Sequence, residues 1–192
     1  MTRLLVVGHG PTVRVRDGVF GDASPLARPV ERLEQRVERW VCGPEPACLE
    51  TAAGLAGQSP AELAGLARCD FGVWQGRSLA EVAADDPAGV AAWTSEPDAR
   101  PHGGETLAEL VARVGTAMDG FDWPAGGSAA VVTPLVARAA TVWALAAPAS
   151  VIFRIDVGPL GAAELSGGPG RWRLRELRRT IRPGGGRYRP GR

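Results

Sequence analysis

LLVVGHGPT, residues 4–12, is the part of the sequence that says most about the architecture. Its first four residues form an unbroken apolar run, which is typical of a parallel strand buried on both faces. Gly8 and Gly10 let the backbone turn sharply after the strand and present His9 at the carboxyl edge of a sheet, where α/β proteins bind ligands. His9 is therefore the first candidate functional residue, and His102 is the only other histidine in the sequence.

Length and composition predict one substantial core. The chain has 192 residues with an apolar content of 45%, which favours a single domain over residues 1–181 and a flexible Gly/Arg/Pro-rich tail over residues 182–192. No apolar run approaches the roughly 18 residues that span a bilayer, so we expect no membrane association. Cys42, Cys48 and Cys69 lack CxxC spacing, which indicates free thiols in a reducing cytoplasm rather than a disulfide or a metal site.

The charged residues are unusual in type and position. All 22 positive side chains are arginine, and the absence of lysine and asparagine, whose codons are AT-rich, indicates a high-GC bacterium. The absence of lysine also excludes Schiff-base and P-loop lysine chemistry. Residues 171–192 contain nine arginines and one acid, Glu176. A basic end can attract nucleic acid, but the alternation in RWRLREL, residues 171–177, favours a strand with one solvated face instead.

Apolar spacing and turn residues predict strands that alternate with helices. The predicted helices cover residues 29–40, 47–56, 78–85, 87–95, 105–118 and 134–147, with a further short helical piece from Pro60. The predicted strands cover residues 4–7, 41–42, 129–133, 151–157, 161–165 and 171–177. This alternation predicts a three-layer α/β/α fold in which helices flank a mostly parallel central sheet.

A set of motifs between Leu4 and Ile181 carries a resemblance to a known family. In chain order they are LLVVGHGPT (4–12), PL (25–26), CGPEPACLETA (42–52), CDFGVWQGRSLAEV (69–82), PHGGETLAELVARV (101–114), VVTPLVARAA (131–140) and RWRLREL (171–177). Together they resemble the histidine phosphatase superfamily, in its phosphoglycerate-mutase-like branch. The resemblance implies the same three-layer α/β/α fold.

The resemblance also implies a reaction, for which this chain lacks several residues. In that family a first histidine attacks phosphorus, two arginines and a second histidine hold the phosphoryl oxygens, and a carboxylate protonates the leaving group. The resemblance assigns the nucleophile to His9. The departures from the pattern are Gly8 for the first arginine, Ala47 or Pro46 for the second arginine, Arg68 for the acid, and Thr133-Pro134 for the second histidine.

These departures predict a pseudo-phosphatase that keeps the fold, has lost the phosphotransfer machinery and acts through binding or assembly. The alternative is an enzyme that reuses the same cleft, with His9 as base or nucleophile, on a small organic metabolite, with or without a carboxylate, for example in a biosynthetic pathway. A residual phosphatase is a third reading. No cofactor is expected. The partner is expected to be a small-molecule ligand or another protein, and the sequence leaves both a monomer and a homodimer open.

Four residues are the candidates for the site. His9 is the candidate catalytic residue, although a relic held by backbone hydrogen bonds fits the sequence equally well. Arg68, His102 and Glu105 are the candidates for substrate binding. Arg68 can bind a carboxylate or pair with Asp70 or Glu105, whereas His102 belongs to a loop expected at the rim of the cleft, where the competing reading is a solvated side chain. Arg138 is interpreted as structural.

Overall fold

The computed structural model describes residues 2–181, so the predicted tail at residues 182–192 lies outside the described residues. Six strands form one sheet in this part of the chain, and five α-helices accompany it. The strands are β1 (Thr2–Gly8), β2 (Arg39–Cys42), β3 (Ala61–Glu62), β4 (Gly127–Val132), β5 (Ala162–Gly167) and β6 (Arg173–Arg178). The helices are α1 (Pro46–Ala56), α2 (Leu79–Asp85), α3 (Pro87–Ser95), α4 (Leu107–Gly120) and α5 (Pro134–Ala144).

The strand order is β3-β2-β4-β1-β5-β6. β1 pairs in parallel with β4, and β2 pairs in parallel with both β3 and β4. β5 is antiparallel to β1 and to β6, so it is the one reversed strand of this sheet within residues 2–181. The predicted α/β class with a mostly parallel central sheet is confirmed.

β1 lies in the middle of the core and contributes side chains to both faces of the sheet. Leu4 and Val6 pack into a cluster with buried residues of α4 and α5, whereas Leu5 and Val7 pack into a second cluster with buried residues of α1. Successive side chains of a strand point to opposite faces, so an unbroken apolar run is what such a position requires.

The helices begin where the sequence supplies caps. Ser78 with Glu81 and Thr106 with Glu109 form capping boxes at the starts of α2 and α4, and α1, α3 and α5 each have proline in the first turn. The first backbone N–H groups of a helix have no partner inside it. A capping box provides acceptors for them, and proline has no N–H group at all. None of the helices described is long and apolar enough to cross a bilayer.

The predicted helix over residues 29–40 is wrong. This segment has no regular structure before β2, and its backbone donors go to neighbouring elements: Leu33 N–H donates to the Leu55 carbonyl at 3.0 Å, and Glu38 N–H donates to the Gly127 carbonyl at 2.8 Å. Leu33 is buried in the second cluster without a helix. Tertiary hydrogen bonds and packing therefore override the helical spacing of its apolar residues.

The predicted strand over residues 151–157 is also wrong, because Ala149–Arg154 forms a 3-10 helix. Ile152 enters the core, and the Phe153 ring lies 5.0 Å from the Trp93 ring. A short apolar run fits a strand and a buried helical turn equally well. After Pro60, the chain forms the short strand β3 before a 3-10 turn at Ala64–Leu66.

Candidate functional site

The ends of β1 and β4 meet at the carboxyl edge of the sheet. Gly8 lies opposite Val132 in their parallel register, and the backbone N–H of His9 donates to the Val132 carbonyl at 2.8 Å. Thr133, which follows β4, therefore starts α5 beside His9. The structure thus places His9 at the carboxyl end of β1, as the sequence predicts.

Backbone hydrogen bonds orient the His9 ring. Its Nδ1 lies 2.7 Å from the Gly10 carbonyl oxygen, and since a carbonyl only accepts, Nδ1 carries the proton of this hydrogen bond. In the neutral ring the lone pair is then on Nε2. Nε2 is therefore the nitrogen of His9 that can accept a proton or attack an electrophile.

Thr51, in α1, holds Gly10, the residue whose carbonyl orients the His9 ring. Its Oγ1 accepts from Gly10 N–H at 2.9 Å and donates to the Ala47 carbonyl at 2.6 Å, and the residue is fully buried. The sequence analysis did not single out Thr51. The signal that could have identified it is its position four residues after Ala47 on a predicted helix. At this spacing a threonine hydroxyl can donate to the Ala47 carbonyl, which a buried hydroxyl needs.

His9 lines a cavity of about 430 Å³ at this edge of the sheet. The wall includes four aromatic side chains, Phe20, Phe71, Trp93 and Phe153, and three charged side chains, Asp22, Arg68 and Arg138. The volume is within the range of small-molecule sites, which are mostly apolar with a few polar groups. The cavity is thus suited to an apolar molecule that carries an anionic group.

The two arginines of the cavity have no acidic partner. No hydrogen bond or ion pair to another residue in 2–181 holds the guanidinium of Arg68; its backbone N–H donates to Glu45 at 2.7 Å and its carbonyl accepts from Arg113 at 3.3 Å. Arg138 likewise has no ion pair in this range, and its Nε is buried without a hydrogen bond. Arg138, interpreted from the sequence as structural, therefore contributes an unpaired cation to the wall.

Asp22 is an acceptor rather than a proton donor. Its carboxylate accepts from the Thr12 hydroxyl at 2.6 Å and from Ser24 N–H at 2.9 Å. Burial raises the pKa of Asp22, but these hydrogen bonds and the charge of Arg14 outweigh it, so the net pKa is below its ordinary value. Within the described residues, the wall of the cavity contains no other carboxylate.

Gly8 leaves no room for a side chain. A Cβ at this position would lie 2.6 Å from the carbonyl oxygen of Gly158, and the segment 158–161 is held there by hydrogen bonds from Leu160 N–H to the Gly8 carbonyl at 3.0 Å and from Gly8 N–H to Gly161 at 2.9 Å. The position that the resemblance assigns to the first arginine is therefore closed by backbone.

His102 lies away from the His9 cavity. It is only 1% exposed, and its ring contacts Trp74 at 5.0 Å and Phe71 at 5.9 Å. Its Nδ1 accepts from Gly104 N–H at 3.0 Å. The expectation of a rim position, and the competing one of a solvated ring, both fail because the aromatic side chains of the neighbouring loop enclose the imidazole.

Glu105 also lies outside the wall of the cavity. Both of its carboxylate oxygens accept from the guanidinium of Arg113 at 2.7 Å. Arg113 further donates to the carbonyls of Gly65 and Ala67 and so ties α4 to the 3-10 turn at Ala64–Leu66. The contacts of Glu105 are thus those of a bridge between elements, and the pairing of Arg68 with Glu105 is not formed.

Cys69 lines the cavity but is a poor nucleophile. Burial raises the pKa of its thiol to about 12, so the reactive thiolate is scarce near neutral pH. No group of three or more His, Cys, Asp and Glu side chains in residues 2–181 is arranged to hold a metal ion.

Solved structures of phosphatases share this fold. A mycobacterial glucosyl-3-phosphoglycerate phosphatase is 22% identical, with a TM-score of 0.74 over 93% of this chain and 98% of the other. A putative alpha-ribazole-5'-P phosphatase from Escherichia coli is 20% identical, with a TM-score of 0.76 over 94% and 99%. A protein described as mycobacterial hydrolase 1 is 21% identical, with a TM-score of 0.77 over 96% and 100%. The similarity defines the fold as that of this phosphatase class.

The family follows from the sequence match. The model of the histidine phosphatase superfamily (branch 1) matches residues 23–180, well over half of the chain. The chain therefore belongs to the histidine phosphatase superfamily, which confirms the resemblance. None of the curated protein sequences matches the chain. Since the family match begins at Ala23, the assignment of His9 depends on β1 and its register with β4.

Proposed function

We propose that this chain binds a small organic anion in the His9 cavity and does not carry out the phosphotransfer of its family. The charge of the cavity wall is the observation that supports this most directly. Arg68 and Arg138 supply two unpaired cations, which attract an anion. Asp22, the carboxylate of the wall, accepts two hydrogen bonds and favours its ionised form, so it cannot protonate a leaving group.

The size of the catalytic loss supports binding over turnover. Removing one preorganised donor to a developing charge costs about 2.7–4 kcal/mol, or roughly a hundred- to a thousand-fold in rate. Gly8 and Ala47 replace two arginines of the resemblance, and Arg68 replaces the acid. Residues that act as a unit do not contribute additively, but the first of these losses is already large. We therefore propose that His9 lines a binding site.

An enzyme that uses His9 as base or nucleophile is the second candidate. Its support is the lone pair that the hydrogen bond to Gly10 leaves on Nε2. In a typical catalytic pair, however, a carboxylate orients the base and stabilises its protonated form. Among residues 2–181, the His9 ring forms its hydrogen bond with the backbone carbonyl of Gly10, and no carboxylate side chain accepts from it. The binding function is therefore preferred.

Phosphatase assays test the proposed function. We expect no turnover of p-nitrophenyl phosphate, phenyl phosphate or 3-phosphoglycerate above that of His9→Ala, and no labelled phosphohistidine after incubation with a labelled phosphomonoester. An active member of the superfamily, assayed alongside, is the positive control. Turnover at the level of that control, lost in a folded His9→Ala variant, would refute the proposal.

The proposal includes a reducing compartment, the cytoplasm. Cys42, Cys48 and Cys69 are free and buried, and burial raises the pKa of Cys42 to about 11. Thiols of this kind behave as small apolar core residues. Thiol titration of protein purified without reductant, before and after denaturation, is expected to find reactive cysteines only after unfolding.

A further inference from the structure

From the chemistry of the cavity wall we infer that the ligand is an aromatic monocarboxylate. This inference rests on the proposed function, because it names the anion that the His9 cavity binds. Three independent features of the wall carry it: its net charge, its donors without acceptors, and its aromatic side chains.

The charge of the wall matches a single negative charge. Arg68 and Arg138 contribute two positive charges, and Asp22 contributes one negative charge that its hydrogen bonds stabilise. His9 aside, the wall therefore carries one excess positive charge. A carboxylate neutralises this charge, whereas a phosphate monoester, which is largely a dianion near neutral pH, leaves an excess negative charge in a partly desolvated site.

Two buried donors of the wall lack acceptors. Nε of Arg138 and Nε1 of Trp93 are buried, and neither has a hydrogen-bond partner among the described residues. Trp93 is 6% exposed, and both residues line the cavity. A buried donor without an acceptor costs free energy, and both atoms are covered by protein, so we infer that these two side chains turn toward the cavity when a ligand supplies acceptors. A carboxylate offers two oxygens, and its planar geometry matches the guanidinium fork.

Aromatic rings cover the apolar part of the wall. The ring centroids of Phe20 and Phe71 lie 5.1 Å apart, and the Trp93 and Phe153 rings meet edge to face at 5.0 Å. These are the distances and orientations that aromatic pairs favour. A further ring from the ligand gains the same contacts, and the cavity of about 430 Å³ has room for a ring with a short side chain.

Calorimetric titration of the full chain with 3-phenylpropionate tests the inference. Three further probes each lack one required property. 3-Phenyl-1-propanol has no charge, propionate has no aromatic ring, and phenyl phosphate has a phosphate in place of the carboxylate. We expect 3-phenylpropionate to bind at least about tenfold more tightly than each of them. Equal or tighter binding of any of the three, or no heat of binding with 3-phenylpropionate at millimolar concentration, would overturn the inference.

Matched arginine variants locate the binding. Arg138→Gln removes the charge and the buried donor at the cavity, and it is expected to weaken 3-phenylpropionate binding at least tenfold. Arg39→Gln removes an exposed charge at the start of β2, at the opposite edge of the sheet, and is expected to leave the affinity unchanged. Arg68→Gln is a second cavity variant in case Arg138→Gln does not fold. Unchanged affinity in a folded cavity variant would contradict the inference.

The same titrations separate this inference from the proposed function. Tight binding of phenyl phosphate without hydrolysis would overturn the inference that the ligand is a carboxylate. The proposed function, binding of an organic anion, would still stand. Hydrolysis of phenyl phosphate that is lost in His9→Ala would instead refute the proposed function, whatever the affinity for 3-phenylpropionate. Selective binding of 3-phenylpropionate without phosphatase turnover supports both.

Discussion

The imidazole of His9 is oriented by a backbone carbonyl, and this makes its replacement by glutamine a mild change. The amide of glutamine keeps a hydrogen-bond donor at this edge of the sheet, at the ε position rather than at the δ position that bonds to the Gly10 carbonyl. We therefore expect His9→Gln to change the free energy of unfolding by about 1 kcal/mol or less, as measured by thermal unfolding. A much larger loss would mean that the ring is needed for packing. If His9 acts as base or nucleophile, the folded variant loses turnover, because glutamine cannot take up a proton near neutral pH.

The contact between Gly8 and Gly158 makes a second prediction about single residues. We expect Gly8→Ala to lower the free energy of unfolding by about 1–3 kcal/mol, because the added Cβ would lie 2.6 Å from a backbone oxygen. Gly168→Ala is the control, since a Cβ at position 168 meets nothing within 4 Å, and a change within about 0.5 kcal/mol is expected. Chemical denaturation of both variants measures the difference. Equal losses of unfolding free energy in the two variants would show that a Cβ at position 8 fits without displacing Gly158.

Single residues were predictable from the sequence only where the local pattern determines their place. His9 follows an apolar strand, and that pattern alone puts it at the edge of the sheet. The surroundings of His102 and Glu105 depend on which distant loop packs against them, and a sequence of polar and apolar residues does not specify that choice. Thr51 was missed for the same reason, because its role depends on a hydrogen bond to Gly10 from another element.

The loop of residues 70–76 and the loop of residues 101–105 form one packed unit. Val73 N–H donates to the His102 carbonyl at 2.9 Å, and Glu105 N–H donates to the Asp70 carbonyl at 2.8 Å. Gly72 makes this possible, since a Cβ there would lie 1.9 Å from the His102 carbonyl oxygen. The imidazole of His102 is enclosed by this pairing, so its ionisation reports on the contact between the two loops.

Because His102 is buried between the two packed loops, we expect the protein to lose stability at acidic pH. Burial lowers the pKa of His102 below 6.5, with Arg100 acting in the same direction and Asp70 opposing. The neutral ring is thus favoured in the folded state, and its contribution to the free energy of unfolding is complete above pH 6.5. As pH falls below 6.5, the unfolded chain takes up the proton first, and stability decreases by up to about 1.4 kcal/mol per pH unit until the folded pKa is reached.

Melting temperatures from pH 7.5 to pH 5.5 check this slope. His102→Gln is expected to reduce the slope, because the titrating group is removed, even where the variant is less stable at every pH. An identical slope in His102→Gln would show that other groups cause the acid sensitivity.

At the level of elements, the structure places two helix starts at local caps, whereas apolar spacing alone predicted a helix over residues 29–40 that does not form. The starts of α2 and α4 follow Ser78 and Thr106, which form capping boxes within four residues of sequence. The segment 29–40 has helical spacing, yet its backbone N–H groups are used by α1 and by the start of β4. A cap involves residues that are adjacent in sequence, so it can be predicted. Whether the N–H groups of a segment bond within a helix or to distant carbonyls depends on the folded chain.

For the whole molecule, the α/β class and the mostly parallel sheet were predictable because they depend on the order of apolar strands and amphipathic helices. The basic end was also predictable: β6 forms where alternation indicates it, and Arg178 pairs with Glu164 of β5 and Glu176. The shape of the His9 cavity was not predictable, since its wall comes from five separated parts of the chain. The ligand chemistry therefore required the structure.

The close approach of Gly158 to Gly8 limits how this chain can evolve. A single codon change to arginine at position 8 would have to displace a loop that is hydrogen-bonded to both the N–H and the carbonyl of that residue. A side chain beside His9 thus needs at least two coordinated changes, the first of which is harmful alone. Arg68 and Arg138 line the cavity itself, so a substitution at either position changes its chemistry without any change at position 8. Under mutation and selection, the site is freer to change the side chains of its wall than to accommodate an arginine next to its histidine.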